Sequence, residues 1–475
     1  MKIGLAVVAI LVAILGVSPY FIGGHIESVI KNQLENYNIP GYEFSVEVER
    51  GYRSSVHTFH VGIDSALFVD PANPEFAQDF IELAEGLSYD IHVQHGPILT
   101  TEGFGFGLAD FNMDINKQQY PHLQEYFEIF NVESFLTSSG SMGFSGAGDF
   151  ELAVPRLNFV DEETGDNIRF NGFSGNGDFS DFGRTSSFSG SAPNLVVALD
   201  SLYMSVGQMS VASSAVMEEG SIYWGDADGS FSIETIAIGS TAFSGSIEGT
   251  EFVFSMQDGD STETASINYS MSVDSYNSRQ IDLENIEANF DYTNLSKAFI
   301  EGYLDIAYSF GLADEEEAEA AILLFAVSEA PAALAHSPGF SFSKVAFTHE
   351  GRSFDGSATV AIDGQQVPAS FDIQRWDLLL PALTAEVHLD TDESLLNDIM
   401  AWQASSSVDA SLAGLDPSEI TPEMRQTMID QQATMMLGIA EAQGFLLREN
   451  GRIKSDIQLA DRMLDINGNA MPAPF

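Results

Sequence analysis

From about residue 139 to 292 the chain alternates almost without pause, with Phe, Val, Ile and Tyr at one parity and Ser, Gly, Asp and Asn at the other. Side chains of a strand point to opposite faces at a period of two, so this pattern sets one apolar face against one wet face. A helix cannot sort such a pattern into two sides. A sheet buried on both faces would instead read as unbroken apolar runs. The segment therefore predicts extended antiparallel sheet, rich in residues that suit a pleated, half-buried surface.

The same signal starts earlier and returns later. Tyr42, Phe44, Val46 and Val48 alternate, the pattern breaks at Arg50-Gly51, and it resumes through Phe59, Val61 and Ile63, which predicts a hairpin or meander. A shorter strand with Tyr89, Ile91 and Val93 ends at Gly96-Pro97. Leu123, Phe127, Phe130 and Phe135 predict a helix over 120–136. The string GFSGAGDF at 143–150 recurs as GFSGNGDF at 172–179, suggesting a duplicated hairpin but too few copies for a solenoid.

In the second half, Asp314 and the three glutamates after it mark a helix start, with carboxylates at the positive end of the dipole and an expected stop just before Pro331. Strands are expected over 340–347 and 357–362. A helix is expected over 392–403, and a longer one begins with Thr421 as cap and Pro422 in its first turn and stops at Gly444. Asn450-Gly451 is the turn of a closing hairpin. The sum is an α+β fold, strand-dominated, with a long antiparallel twisted sheet and helices packed on it: a β-rich lobe over 42–292 and a mixed α/β lobe over 293–475.

Residues 3–22 carry no charge, and at about 1.5 Å of helix rise per residue they reach about 30 Å, the thickness of a bilayer's hydrocarbon core. Lys2 ahead of them favours an amino terminus held inside. Residues 1–24 are thus expected to be a transmembrane signal anchor. Residues 25–41, with Ile26, Ile30 and Leu34 at helical spacing, read as an amphipathic stalk. Cleavage after Gly16-Val17-Ser18 is the rival, and Pro19 opposes it. This places the body outside the cytoplasm. Acidic residues outnumber Lys plus Arg by 70 to 18, a field that repels phosphate backbones, so nucleic acid is not an expected partner. The excess is spread along the chain and suits high salt, which points to a halophilic source. With no cysteine, disulfides, thiol catalysis and thiolate metal sites are excluded.

Nine histidines are the first place to look for metal or acid–base chemistry. His57 with His60, and His92 with His95, are each three apart and so point to opposite faces of a regular strand, which removes both pairs as chelates. His95 before Gly96-Pro97 reads as a residue that holds a turn. Asp226, Asp228, Ser230, Ser232 and Glu234 miss the calcium-loop spacing and read as a solvated strand face, as does Asp258-Gly259-Asp260. Glycines 103, 105 and 107 lack the spacing of a dinucleotide fingerprint, and no nucleophile elbow, phosphate loop or zinc-protease helix occurs. No catalytic residue, metal or cofactor is expected, and an enzyme is not the favoured class. The 35 phenylalanines fill either a closed core or an apolar groove able to take lipid or another hydrophobic ligand. Met424, Met428, Met435 and Met436 leave the same two options, core or adaptable lip.

The order of the short motifs adds a resemblance. Arg50-Gly51-Tyr52-Arg53-Ser54-Ser55 after the first strand, His95-Gly96-Pro97 after the third, and Gly143-Phe144-Ser145-Gly146 at an expected strand start, between an N-terminal anchor and an Asn-Gly hairpin, resemble the YdgA-like family of bacterial envelope proteins. Arg53 stands where that family commonly has an aromatic residue. Arg50, Gly51, Ser54, Ser55, His95, Gly96, Pro97, Gly143, Phe144 and Gly146 carry the likeness, and at each the reading is structural. The resemblance implies an inner-membrane anchor with a periplasmic domain and admits a homodimer. It implies no reaction, because the shared domain is of unknown function. A non-enzymatic binding or scaffolding role leads, with a lipid carrier second and an envelope hydrolase third.

Overall fold

The first hairpin forms where the alternation predicts it, as β1 (Tyr42–Arg50) and β2 (Ser54–Ile63), with Gly51 N donating to Ser54 O at 2.7 Å across the turn. The computed structural model describes residues 42–63, 88–100, 105–219, 221, 224–240, 244–279, 281–310, 315–368, 378–412 and 421–473. The expected anchor and stalk, and the expected helix start at Asp314, lie outside the described residues. Among the described residues no helix is long and apolar enough to cross a membrane.

Two units emerge: Met1–Ala242 with Ser255–Gln257 and Ile300–Ala326, and Phe243–Phe254 with Asp258–Phe299 and Val327–Phe475. In the first, β3 (Ser88–His95) pairs with β2 and is followed by a small pair, β4 (Ile98–Leu99) and β5 (Gly105–Phe106). Then come β6 (Ala109–Asn116), α1 (Gln124–Phe130), β7 (Ser134–Met142) and β8 (Gly148–Val154), in the antiparallel order β1-β2-β3-β6-β7-β8. The helix expected over 120–136 is shorter than its apolar spacing suggests. Asn131 takes a left-handed φ of 51° and ends it, which frees Phe135 to join β7 and stack on Phe127 at 4.4 Å. Tyr120, Leu123 and Phe127 form the buried side of this cluster, and burial pushes the Tyr120 hydroxyl above the usual phenol range.

The strands that follow are β9 (Leu157–Val160), β10 (Asn167–Phe170), β11 (Phe173–Ser180), β12 (Thr185–Ala192), β13 (Leu195–Leu199), β14 (Leu202–Val206), β15 (Met209–Met217) and β16 (Gly225–Ser240). They form long strands broken by a common crease. Val154 pairs with Phe173 and Leu157 with Phe170, so Pro155-Arg156 faces Asn171-Gly172. The registers continue this line through Pro193-Asn194, Gly207-Gln208 and Glu234-Thr235. Pro155 and Pro193 have no N–H for the ladder and Gly172 adopts a φ of 88°, so the ladder is interrupted along one line from β8 to β15, while β16 runs through it unbroken. Asn171 Nδ2 donates to Asn194 Oδ1 at 2.6 Å and holds the fold line.

The repeated string is not a duplicated hairpin. Its first copy is a turn, Gly143 N to Ala147 O at 2.8 Å with Gly146 at a φ of 76°, and the strand starts only at Gly148. The second copy is extended throughout β11, and the two copies pair with each other, Gly148 opposite Phe179 and Phe150 opposite Gly177.

The second unit is built on β17 (Ser244–Asp258), β18 (Thr264–Ser278), β19 (Asp282–Ser296), β20 (Gly339–His349), β21 (Arg352–Ile362), β22 (Leu383–Asp392), β23 (Leu447–Glu449), β24 (Arg452–Ala460), β25 (Met463–Ile466) and β26 (Asn469–Pro472). The antiparallel order β18-β19-β20-β21-β22-β24-β25-β26 places the Asn450-Gly451 turn, at φ of 53° and 80°, between β23 and β24. Four more helices are described. α2 (Lys297–Phe310) is a helix beyond those expected, although Phe299, Ile300, Tyr303, Leu304 and Phe310 recur at helical spacing, and Lys297, buried, pairs with Asp258 at 2.6 Å. α3 (Glu315–Leu334) runs past its expected stop, because Pro331 serves the last turn through its carbonyl, which accepts from Ala335 N at 3.2 Å. α4 (Glu393–Leu412) is longer than 392–403 because Ala404, Val408 and Leu412 pack on Ile429 of α5 (Pro422–Ala442). Thr421 Oγ1 accepts from Met424 N at 3.1 Å, as its sequence position predicts, and Thr421→Ala should lower stability by about 1 kcal/mol in urea unfolding.

Candidate functional site

Ser55 and His57 lie two apart on β2 and so share a face. Ser55 opposes Val93 and His57 opposes Ile91, which brings His95 to the same face. There Ser55 Oγ meets Nε2 of His57 at 2.8 Å and Nε2 of His95 at 2.8 Å. The hydroxyl has one hydrogen, so the arrangement that uses it donates to one ring and accepts an N–H from the other. His57 and His95 are 0% exposed and Ser55 is 3% exposed. A serine oxygen between imidazoles is what an acyl-transfer site would need, but this one is shut from water.

The motif residues meet around this centre. His95 N donates to Arg53 O at 2.7 Å, Gly96 N to Leu108 O at 2.7 Å, and Leu108 N to Met142 O at 2.7 Å, so the Arg50, His95 and Gly143 motifs sit at the ends of successive strands. Arg53, in place of the family's aromatic, reaches Ile98 O at 2.9 Å through its guanidinium. Gly96 is followed by a cis peptide bond to Pro97, and a Cβ on Gly96 would fall 1.7 Å from Gly107 O. Phe144 and Gly146 belong to the turn after β7, where the Phe182 ring covers Gly146.

Within single strands the spacing sets His57 beside His60 and His95 beside His92. The pair that meets is His57 with His95, across two. Its signal was parity: once β2 and β3 pair, Ser55, His57 and His95 fall on one side, and His60 and His92 on the other. Asp226 and Asp228 are exposed on β16, and Ser232 Oγ lies 2.7 Å from Ser210 Oγ, an ordinary strand face. Among the described residues no group of three or more metal-ligating side chains is close enough to hold an ion. Met428 packs against the α4–α5 core, whereas Met424 and Met435 are exposed.

The larger feature is the apolar side of each sheet. In the first unit Phe rings lie over glycines of the next strand: a Cβ on Gly140 would strike Phe111 at 2.5 Å, on Gly177 Phe150 at 2.5 Å, and on Gly175 Phe188 at 2.6 Å. The repeated Gly-Phe pattern thus builds a face of flat rings, Phe150 and Phe188 being parallel within 5°. In the second unit Tyr269, Phe290, Phe342, Ala358 and Val387 follow one another across β18 to β22, with Phe290 and Phe342 in contact at 5.0 Å and Tyr292 and Phe340 at 4.9 Å. The opposite face carries Asn289, Asp291, Ser341, Thr359 and Glu386. α4 lies against β21, β22 and β24 and buries Ile453, whereas toward β18 Val273 and Ala288 are buried, Phe290 and Phe342 are half-buried, and Tyr269, Val360 and Val387 are exposed.

Neither a curated protein nor a solved structure matches this chain. A sequence model of one family, described as bacterial protein of unknown function (DUF945), matches residues 1–474. The chain therefore belongs to the DUF945 family of bacterial proteins.

Proposed function

We propose that this is a membrane-tethered envelope protein, YdgA-like in type, that binds the acyl chains of lipid along the open apolar face of its second unit and catalyses no reaction. The carrying observation is that face. Aromatic and aliphatic side chains cross it from β18 to β22, and Tyr269, Val360 and Val387 among them stay exposed, where a closed core would hide them. Acyl chains suit it because they are apolar, extended and deformable, and a shallow face of rings offers dispersion contacts without a shaped cavity. The uncharged residues 3–22 supply the tether beside the lipid source, with the acidic body on the periplasmic side. The buried Ser55 centre favours structure over hydrolysis, since a nucleophile must be reached by its substrate. A homodimer is compatible with this role and is not needed for it.

Alternation along β21 provides the test. A photoreactive amino acid at Val360 faces the apolar side and one at Thr359 the polar side, while both positions are exposed. Irradiation of cells followed by mass spectrometry should yield lipid adducts at Val360, and at Val387, but not at Thr359 or Glu386. Equal labelling at both parities, or none at Val360 and Val387, refutes the reading.

A further inference from the structure

Four aromatic side chains stand out on the connections at a single end of the first unit's sheet, three on turns and one on the short strand β5: Tyr52 at 55%, Phe106 at 65%, Phe144 at 57% and Phe182 at 45% exposure. The registers put them there. His95 pairs with Ala109, Ala109 with Met142, Met142 with Gly148 and Gly148 with Phe179, so the turns after these residues leave from one row, as does the β1–β2 turn through Ser54 and Gln94. Within the main sheet the rings lie flat over glycines, but at this rim they stand on the segments that connect its strands. Phe182 is held there at a φ of 54°, a region that few bulky residues adopt, with its ring against Gly146.

We propose that this aromatic rim seats on the surface of a zwitterionic phospholipid bilayer. Aromatic side chains are at home at the boundary of headgroup and hydrocarbon. Separate tips on separate turns suit a fluid surface, which conforms to them, better than a shaped protein partner.

Charge selects the headgroup. Arg50 and Arg53 flank Tyr52, and Arg184 follows Phe182 with Asp181 paired to it at 3.1 Å, so the rim carries both signs. The chain's net charge of −52 is repelled by an anionic leaflet, whereas a zwitterionic headgroup offers phosphate to arginine and ammonium to carboxylate.

The full chain, held in nanodiscs by its N-terminal segment, is mixed with phosphatidylcholine and phosphatidylethanolamine vesicles and floated through a density gradient. It should rise with them. The triple variant Tyr52→Ser, Phe106→Ser, Phe144→Ser should cut the floated fraction at least about tenfold, as the loss of three inserted rings requires. Unchanged tryptophan emission, which includes buried Trp224, shows that the variant is folded. Vesicles with added phosphatidylglycerol should bind less at low salt. A triple variant that floats like the parent, or stronger binding to the anionic vesicles, overturns the proposal. If the chain fails to enter nanodiscs, the tether reading falls, and the free chain with the same vesicles and variant still decides the rim.

Discussion

Gly96→Ala should destabilise the protein by more than about 3 kcal/mol, the combined scale of forced overpacking and two lost hydrogen bonds. The added Cβ would stand 1.7 Å from Gly107 O, 2.8 Å from Gly107 C and 3.1 Å from Leu108 O, all backbone atoms. They cannot swing aside like a side chain. Separation would break Gly96 N to Leu108 O at 2.7 Å and Gly107 N to Pro97 O at 3.3 Å, which close the sheet end around His95. Gly105→Ala is the control, because a Cβ there meets nothing within 4 Å, and its change should stay within about 0.5 kcal/mol. Urea unfolding of the full chain followed by tryptophan emission measures both. A Gly96→Ala midpoint equal to the parent's would show that the strand ends yield freely.

Ser55→Ala should cost about 2–4 kcal/mol. It removes one oxygen, but two buried imidazole nitrogens lose their bond to it, and each buried polar group left short of a partner costs about 1–3 kcal/mol. No water reaches the site as a replacement while His57 and His95 remain 0% exposed. Ser54→Ala, one residue earlier on the exposed face, should change stability by less than about 0.5 kcal/mol. Equal midpoints for the two variants would mean that the hydroxyl contributes nothing to holding the β1–β2 hairpin on β3.

The two variants mark where local reading succeeds and where it stops. The hairpins at Arg50-Gly51 and Asn450-Gly451 and the cap at Thr421 were legible because each is decided by residues within one turn. Pro331 misled because a helix end depends on how the last turn is closed, and the spacing around Phe135 misled because one left-handed residue, Asn131, can reassign an apolar side chain from helix to strand. The eight-residue repeat misled most. The same string is a turn at Gly143 and a strand at Phe173, since its glycines permit both and only the neighbours, the Phe182 ring over Gly146 and the Phe188 ring over Gly175, choose between them. The Ser55, His57 and His95 centre was invisible for a related reason: its members are joined by strand pairing.

By itself the sequence determined that this chain is dominated by antiparallel strands with one apolar and one polar face, because period two is a property of each strand alone and needs no partner to be seen. Which strands became neighbours, and so which imidazoles share a serine, where the crease through Pro155 and Pro193 runs and which apolar side chains stay uncovered, was decided only by tertiary structure. Alternation states which way a side chain points; register and cover, set by contacts between residues far apart in the chain, decide what it meets.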